Sequence, residues 1–269
     1  MQRKGLLRAA SSFSSIFTIS LCLVFCGCGG SSSGGSSVSP ATLTGNFGLI
    51  ATSTVVTGLT TEIGASLVSS GSTVSGSVHI SESPCYSFSL DIPMSGTVNS
   101  AGVFTLVSTV VNGQTLTVSG TISASSSISG TYAISGGCGA GDRGALSGNS
   151  YSPLTGTYVG TITTFSGAAV TLTAILNQAS SADAAGYYPT SGTATFSGSC
   201  SSNTAIPNAQ ADSILIGNQF SALFETSTSQ IVQISGSFDT LAQTITLSGV
   251  SGTVGNCTFS NATGVLKLQ

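Results

Sequence analysis

The sequence predicts an all-β protein: two tandem antiparallel meander β-barrels, or tightly curled sandwiches, of about eight strands each. Three observations predict it. Apolar residues alternate with Ser and Thr over most of the chain, the period-two signature of half-buried strands. A short pattern of apolar, Ser or Thr, Gly, any residue, apolar recurs from end to end. A set of landmarks also occurs twice in the same order.

The alternation separates this chain from a disordered one. Disorder needs low hydrophobicity together with high net charge. Here hydrophobic residues make up 40% of the chain and charged residues only 5%, and the apolar positions are rich in β-branched side chains that suit a pleated surface. No stretch has a convincing helical period; residues 177–186 read as a loop with one turn.

The recurring pattern appears at Leu43–Phe47, Val74–Val78, Met94–Val98, Val118–Ile122, Ile128–Tyr132, Leu154–Tyr158, Ile234–Phe238 and Val250–Val254. Period two puts both apolar residues and the Gly on the inner face. An inward Gly marks a bend or a close backbone approach, and repeating it coils a sheet toward closure. Closure also answers the edge problem, because the chain has few Lys, Arg or Pro residues with which to guard open edges.

The duplicated landmarks set the domains. Leu43-Thr-Gly-Asn-Phe47 returns 111 residues later as Leu154-Thr-Gly-Thr-Tyr158. Cys85 matches Cys200 at an offset of 115, Leu116–Ile122 matches Val232–Phe238 at 116, and Cys138 matches Cys257 at 119. A slowly growing offset is what a duplication with small loop insertions leaves. The expected organisation is residues 1–27 a signal peptide, 28–41 a lipidated Cys and tether, 42–150 the first β-domain and 151–269 its duplicate.

The N-terminus has three zones: a basic Met1–Arg8, an apolar Ala9–Phe25, then Cys26-Gly27-Cys28 giving way to Gly and Ser. This is the layout of a secretory signal peptide, and its strongly apolar part is shorter than the roughly 20 residues a spanning helix takes. The stretch Phe25-Cys26-Gly27-Cys28 resembles the lipobox of bacterial lipoproteins, although Phe25 and Cys26 depart from the family's usual Leu and small residue. The resemblance implies cleavage before Cys28 and its acylation by fatty chains such as palmitate. The membrane is then a partner through that anchor. Gly29 rather than Asp after the Cys implies the outer membrane of a Gram-negative envelope. Residues 29–41 read as a Gly/Ser tether spanning about 20 Å. In composition the whole chain resembles Ser/Thr/Gly-rich all-β envelope lipoproteins, a likeness that implies no activity.

Four cysteines remain after processing: Cys85, Cys138, Cys200 and Cys257. They allow three disulfide connectivities, of which the duplication selects one bridge per copy, Cys85–Cys138 and Cys200–Cys257. A Cys₄ zinc site brings its ligands in close pairs, and these are more than 50 residues apart, so no metal is expected.

Charge and residue types narrow the function. Downstream of Cys28 the basic residues are Arg143 and Lys267 against eight acidic ones, a formal charge of −6. Two cations cannot hold a phosphate backbone, so nucleic acid is excluded as a partner. His79, the only histidine, lies on the outer face of its strand and reads as solvent-facing. No nucleophile elbow accompanies it, so no enzyme activity and no catalytic residue is expected. Asp142-Arg143 reads as a solvated ion pair in a Gly-rich turn, and Asp91, Asp183, Asp212 and Asp239 are scattered without calcium-loop spacing. Tyr187-Tyr188-Pro189 is the candidate ligand contact, either stacking on a sugar or gripping a protein surface, with packing over a barrel mouth as the alternative. No cofactor is expected.

The reading is therefore a membrane-anchored, non-enzymatic binding or structural module, its ligand and its protein or glycan partner open. The alternative is a carrier of a small apolar ligand inside a barrel, lipocalin-like in architecture only. Because so few charges exist to line a polar cleft, any functional cavity is expected inside a barrel. Even there, mostly filled cores are expected, since packing favours strands closing up around the inward glycines.

Overall fold

In a computed structural model, residues 42–80, 91–164, 167–198, 205–207, 213–225, 231–255 and 257–269 are described. Cys28, Cys85 and Cys200, with Glu82 and Asp212, lie outside them. All regular structure among the described residues is β-strand. Both cores fall within the compact unit Ser39–Gln269.

The alternating pattern becomes a meander. The first eight strands are β1 (Gly45–Ser53), β2 (Thr60–Ser70), β3 (Thr73–Ile80), β4 (Ile92–Val98), β5 (Val103–Ser108), β6 (Thr115–Ile122), β7 (Ser127–Ser135) and β8 (Arg143–Tyr151). Each pairs antiparallel with the next, and β8 pairs back onto β1, closing the barrel. The second unit holds β9 (Thr155–Thr163), β10 (Ala169–Gln178), β11 (Thr190–Gly198), β12 (Ile206–Pro207), β13 (Ile214–Ile216), β14 (Gln219–Glu225), β15 (Ile231–Phe238), β16 (Thr244–Val254) and β17 (Cys257–Leu268). Its nine strands run β12-β11-β10-β9-β17-β16-β15-β14-β13, a curled sheet with β9 paired to the last strand as β1 is in the first unit. The ladder is open between β12 and β13. Close by, the chain entering β11 bridges to β13: Tyr188 N–H donates to Leu215 O at 2.9 Å and Thr190 N–H to Ser213 O at 3.4 Å. The stretch read as a one-turn loop begins later than expected, because Asn177 and Gln178 finish β10.

The two units open with the same device. Leu43 N–H donates to Ser69 Oγ, and Ser69 N–H donates to Thr44 Oγ1, both at 2.9 Å. Likewise Leu154 N–H donates to Gln178 Oε1 at 2.8 Å, and Gln178 N–H to Thr155 Oγ1 at 3.3 Å. Each pair ties the entry of a first strand to the end of the second and satisfies backbone donors at a barrel rim. The hairpin tips after β6 and after β15 also match: Ser126 and Ala242 both sit at positive φ, 62° and 53°.

Both cores are packed. In the first barrel the inward residues of all eight strands meet, and the space left inside is about 10 Å³, no more than one water occupies. The glycines achieve this by close approach. Gly120 and Gly130 face each other across β6 and β7, and a Cβ built on Gly120 would lie 2.9 Å from the Gly130 Cα. The interior is thus filled as expected.

Candidate ligand cleft between the two barrels

A space of ligand size lies between the two barrels, lined by outward residues of the first barrel and also by Leu49, Ile63, Ile80 and Ile128 of its core. A cleft of about 740 Å³ runs over the outward face of β1, β2, β3, β7 and β8, under residues 214–221 and Tyr187. Pockets of about 300–1,000 Å³ are typical for small molecules. Outward strand positions, which alternation alone would leave facing water, are here partly covered by the second unit.

Strand register builds the floor in rows. One outward row runs Tyr151, Asn46, Ser66, Ser77. The next runs Ser127, Asn149, Gly48, Gly64, His79, and the third Ser147, Ile50, Glu62. The first row is where the second unit docks. The tip of the β13–β14 hairpin presents its Gly217 peptide to Asn46, whose Nδ2–H donates to Gly217 O while Oδ1 accepts from Gly217 N–H, both at 2.6 Å. Asn46 is only 2% exposed. Ser66 Oγ–H donates to the Tyr188 hydroxyl at 3.3 Å.

Two outward glycines let the hairpin come this close. A Cβ on Gly217 would lie 3.3 Å from the Gly48 Cα and 3.5 Å from the Gly64 Cα. The backbones therefore nearly touch there, and Ile216 fills the space above Gly64. Beyond this contact the hairpin and the floor diverge. The cleft opens between them, with Ile50 and Ile214 on its walls and Glu62, Asn149, Gln219 and Ser221 supplying polar groups. The Tyr151 ring lies across the Gly48 position and meets Phe238 edge-on at 5.6 Å.

His79 closes one end. It points outward as the alternation requires, but it is only 6% exposed, which corrects the solvent-facing reading. Residues 183–188 cover it. The Tyr187 ring stacks on it at 4.0 Å with a 32° tilt, and Nε2–H donates to Ala185 O at 2.8 Å. Its Nδ1 lies 3.3 Å from Asp91 Oδ1 but makes no hydrogen bond. Burial pulls the imidazole pKa below 6.5, against the opposing pull of the Ala185 hydrogen bond and of Asp91 and Asp183. Burial thus favours the neutral form of the ring. The covering loop is shaped by Asp183, whose Oδ1 accepts from the N–H groups of Ala185 and Tyr187 at 2.9 and 3.0 Å.

The sequence-derived candidates divide accordingly. Tyr187 lines the cleft, whereas Tyr188 is 5% exposed and belongs to the second core. Asp142 does not form the expected ion pair with Arg143: its two oxygens accept instead from Ser53 Oγ at 2.6 Å and Tyr132 Oη at 3.0 Å. Cys138 in the β7–β8 turn and Cys257 at the start of β17 are disulfide-bonded, with their expected partners outside the described residues. No group of three or more His, Cys, Asp or Glu among the described residues is placed to hold a metal ion.

Asn46, Gly48, Gly64, Tyr151 and Glu62 were missed by sequence reasoning. One signal was present. Asn46 occupies the variable position of the recurring pattern, and in the seven other occurrences that position is Ser or Thr. Gly48 and Gly64 are glycines outside the pattern, with outward parity.

No protein-family model and no curated protein matches the chain. Among solved structures, a crystal structure of Burkholderia oklahomensis agglutinin aligns over 83% of this chain and 94% of its own, at 11% identity and a TM-score of 0.20. A likeness at that score carries no argument about this chain's fold or function.

Proposed function

We propose that this chain is a lipid-anchored, non-catalytic binding protein of the bacterial envelope, and that the cleft between its barrels takes a small, largely apolar ligand. One observation carries the binding site: a cleft of about 740 Å³ with apolar walls, a few convergent polar groups and a floor tied to its roof by the Asn46–Gly217 contact. The lipobox-like Phe25–Cys28 supports the anchor and the outer-membrane address. The matching entry devices and hairpin tips support a duplication, and with it the pairing of Cys85 with Cys138 and Cys200 with Cys257, which non-reducing peptide mapping checks.

The direct experiment titrates the unit Ser39–Gln269, which holds both cores, with the neutral apolar dye diphenylhexatriene. Saturable binding is expected. Ile50→Trp, which adds bulk on a 48% exposed wall position, should weaken binding by about tenfold or more with little loss of stability. Binding that ignores this substitution places the ligand elsewhere. For the anchor, full-length Cys28→Ser should accumulate as an uncleaved precursor without lipid label; a normally matured, labelled mutant would refute it.

A further inference from the structure

One strand gives the cleft a strip of uncharged polar groups. Ser147, Asn149 and Tyr151 stand two residues apart on β8, so alternation turns all three outward, and all three line the cleft. Register fixes their neighbours. Asn149 pairs with Gly48 on β1, and Ser147 pairs with Ile50. The Tyr151 ring lies over Gly48, where a Cβ would come 2.8 Å from its Cε2 atom, so ring and amide stand side by side on the floor. Phe238 holds that ring from the second unit by the edge-on contact at 5.6 Å. Among the described residues, none makes a hydrogen bond to the Asn149 amide, the Ser147 hydroxyl or the Tyr151 hydroxyl. Each of these groups both donates and accepts. A ligand hydroxyl can answer in both senses, whereas a carboxylate only accepts and an ammonium only donates.

We propose that the cleft takes glycoside-like amphiphiles, with an uncharged sugar ring over Asn149 and Tyr151 and an apolar aglycone along the Ile50 and Ile214 walls. This rests on the reading of the cleft as a ligand site and names its ligand class. A sugar ring carries hydroxyls at its rim and C–H groups on its faces. The hydroxyls meet Asn149 and Ser147, and a C–H face packs on the partly exposed Tyr151 ring. The aglycone leaves the strip beside Ser147, where its strand partner Ile50 begins the apolar wall. Asn149 and Ser147 are exposed, so each bond to the sugar replaces one to water and the gain is severalfold per bond.

The test compares two uncharged molecules with the same octyl tail, octyl glucoside and octyl tetraethylene glycol ether. Both are titrated calorimetrically, below their micelle concentrations, into the unit Ser39–Gln269. The glucoside should bind about tenfold more tightly than the ether. Asn149→Ala, at an exposed position where the change leaves the fold intact, should bring the glucoside to within about twofold of the ether measured on the same variant. Equal binding of the two by the unaltered protein overturns this inference and leaves the ligand cleft standing. So does a glucoside preference that survives Asn149→Ala. If neither octyl compound binds, this inference falls, and the cleft reading falls with it when diphenylhexatriene also fails to bind.

Discussion

The two barrels share a plan and differ in how completely they follow it. The first closes strand to strand, and among the described residues its buried aromatic side chains are Phe47, Phe104 and Tyr132. The second is packed with larger side chains, among them Tyr158, Phe196, Phe220, Phe224, Phe238 and Phe259, and its ladder is open between β12 and β13. A wider content goes with a less regular wall. The departures are also where the second barrel meets the first: residues 183–188 and the β13–β14 hairpin both reach onto the outward face of β1, β2 and β3. One pair of matching positions illustrates the difference. Where the first barrel has Phe47 the second has Tyr158, whose hydroxyl donates to Ala242 O at 2.8 Å and whose pKa is pushed up to about 12 by burial and, secondarily, Asp239. The regular barrel thus supplies a rigid floor, and the irregular one supplies the parts that make a cleft over it.

The strongest way to break this comparison is to attack what the barrels hold in common. Gly120 in β6 and Gly236 in β15 sit at matching places, and a Cβ on either meets neighbouring backbone, Gly130 Cα at 2.9 Å and Leu247 Cα at 3.0 Å. Gly120→Val and Gly236→Val should each cost about 3 kcal/mol in urea unfolding, because a strand rather than a side-chain tip must move. If one barrel tolerates the change within about 0.5 kcal/mol, the two are not closed by the same close approach.

Asn46→Ala attacks what differs. It leaves both polar groups of the Gly217 peptide without the partner that holds them at 2.6 Å. The expected loss is about 2–3 kcal/mol, together with weaker dye binding as the roof of the cleft loosens. A variant of unchanged stability and unchanged dye affinity would mean that the hairpin is held by shape alone.

The smallest effect expected is the pH dependence of the covering loop. The folded-state pKa of His79 lies below the unfolded value of 6.5, so below about pH 6.5 the unfolded chain binds more protons than the native one. Native stability from this group is fully present above pH 6.5 and is lost as pH falls through the lowered folded value. Hydrogen exchange at residues 183–188 should quicken over that window, and His79→Gln should flatten the dependence. Exchange that is equally pH-dependent in His79→Gln assigns it to other groups.

The barrel core was legible because each buried residue obeys a local rule. Leu43, Phe47, Leu154 and Tyr158 are at most 1% exposed, as their place in the recurring pattern requires. The cleft was not legible in the same way. Alternation tells which side of a strand a residue takes, and it was right about His79. It says nothing about what stands on the outer side. Asn46, Ser66 and His79 are polar and outward, yet each is at most 6% exposed because another part of the chain lies over it.

The sequence by itself therefore determined the all-β class, the meander order, the filled first barrel and the scarcity of positive charge. These follow from composition, period-two patterning and the space a glycine lacks, all read within a few residues of one another. Only the tertiary structure decided that a hairpin some 170 residues away would dock on Asn46, and that a ligand-sized space would lie between the barrels. The physical reason is that contact between two finished barrels depends on outward groups matched across their surfaces. No local period records that match.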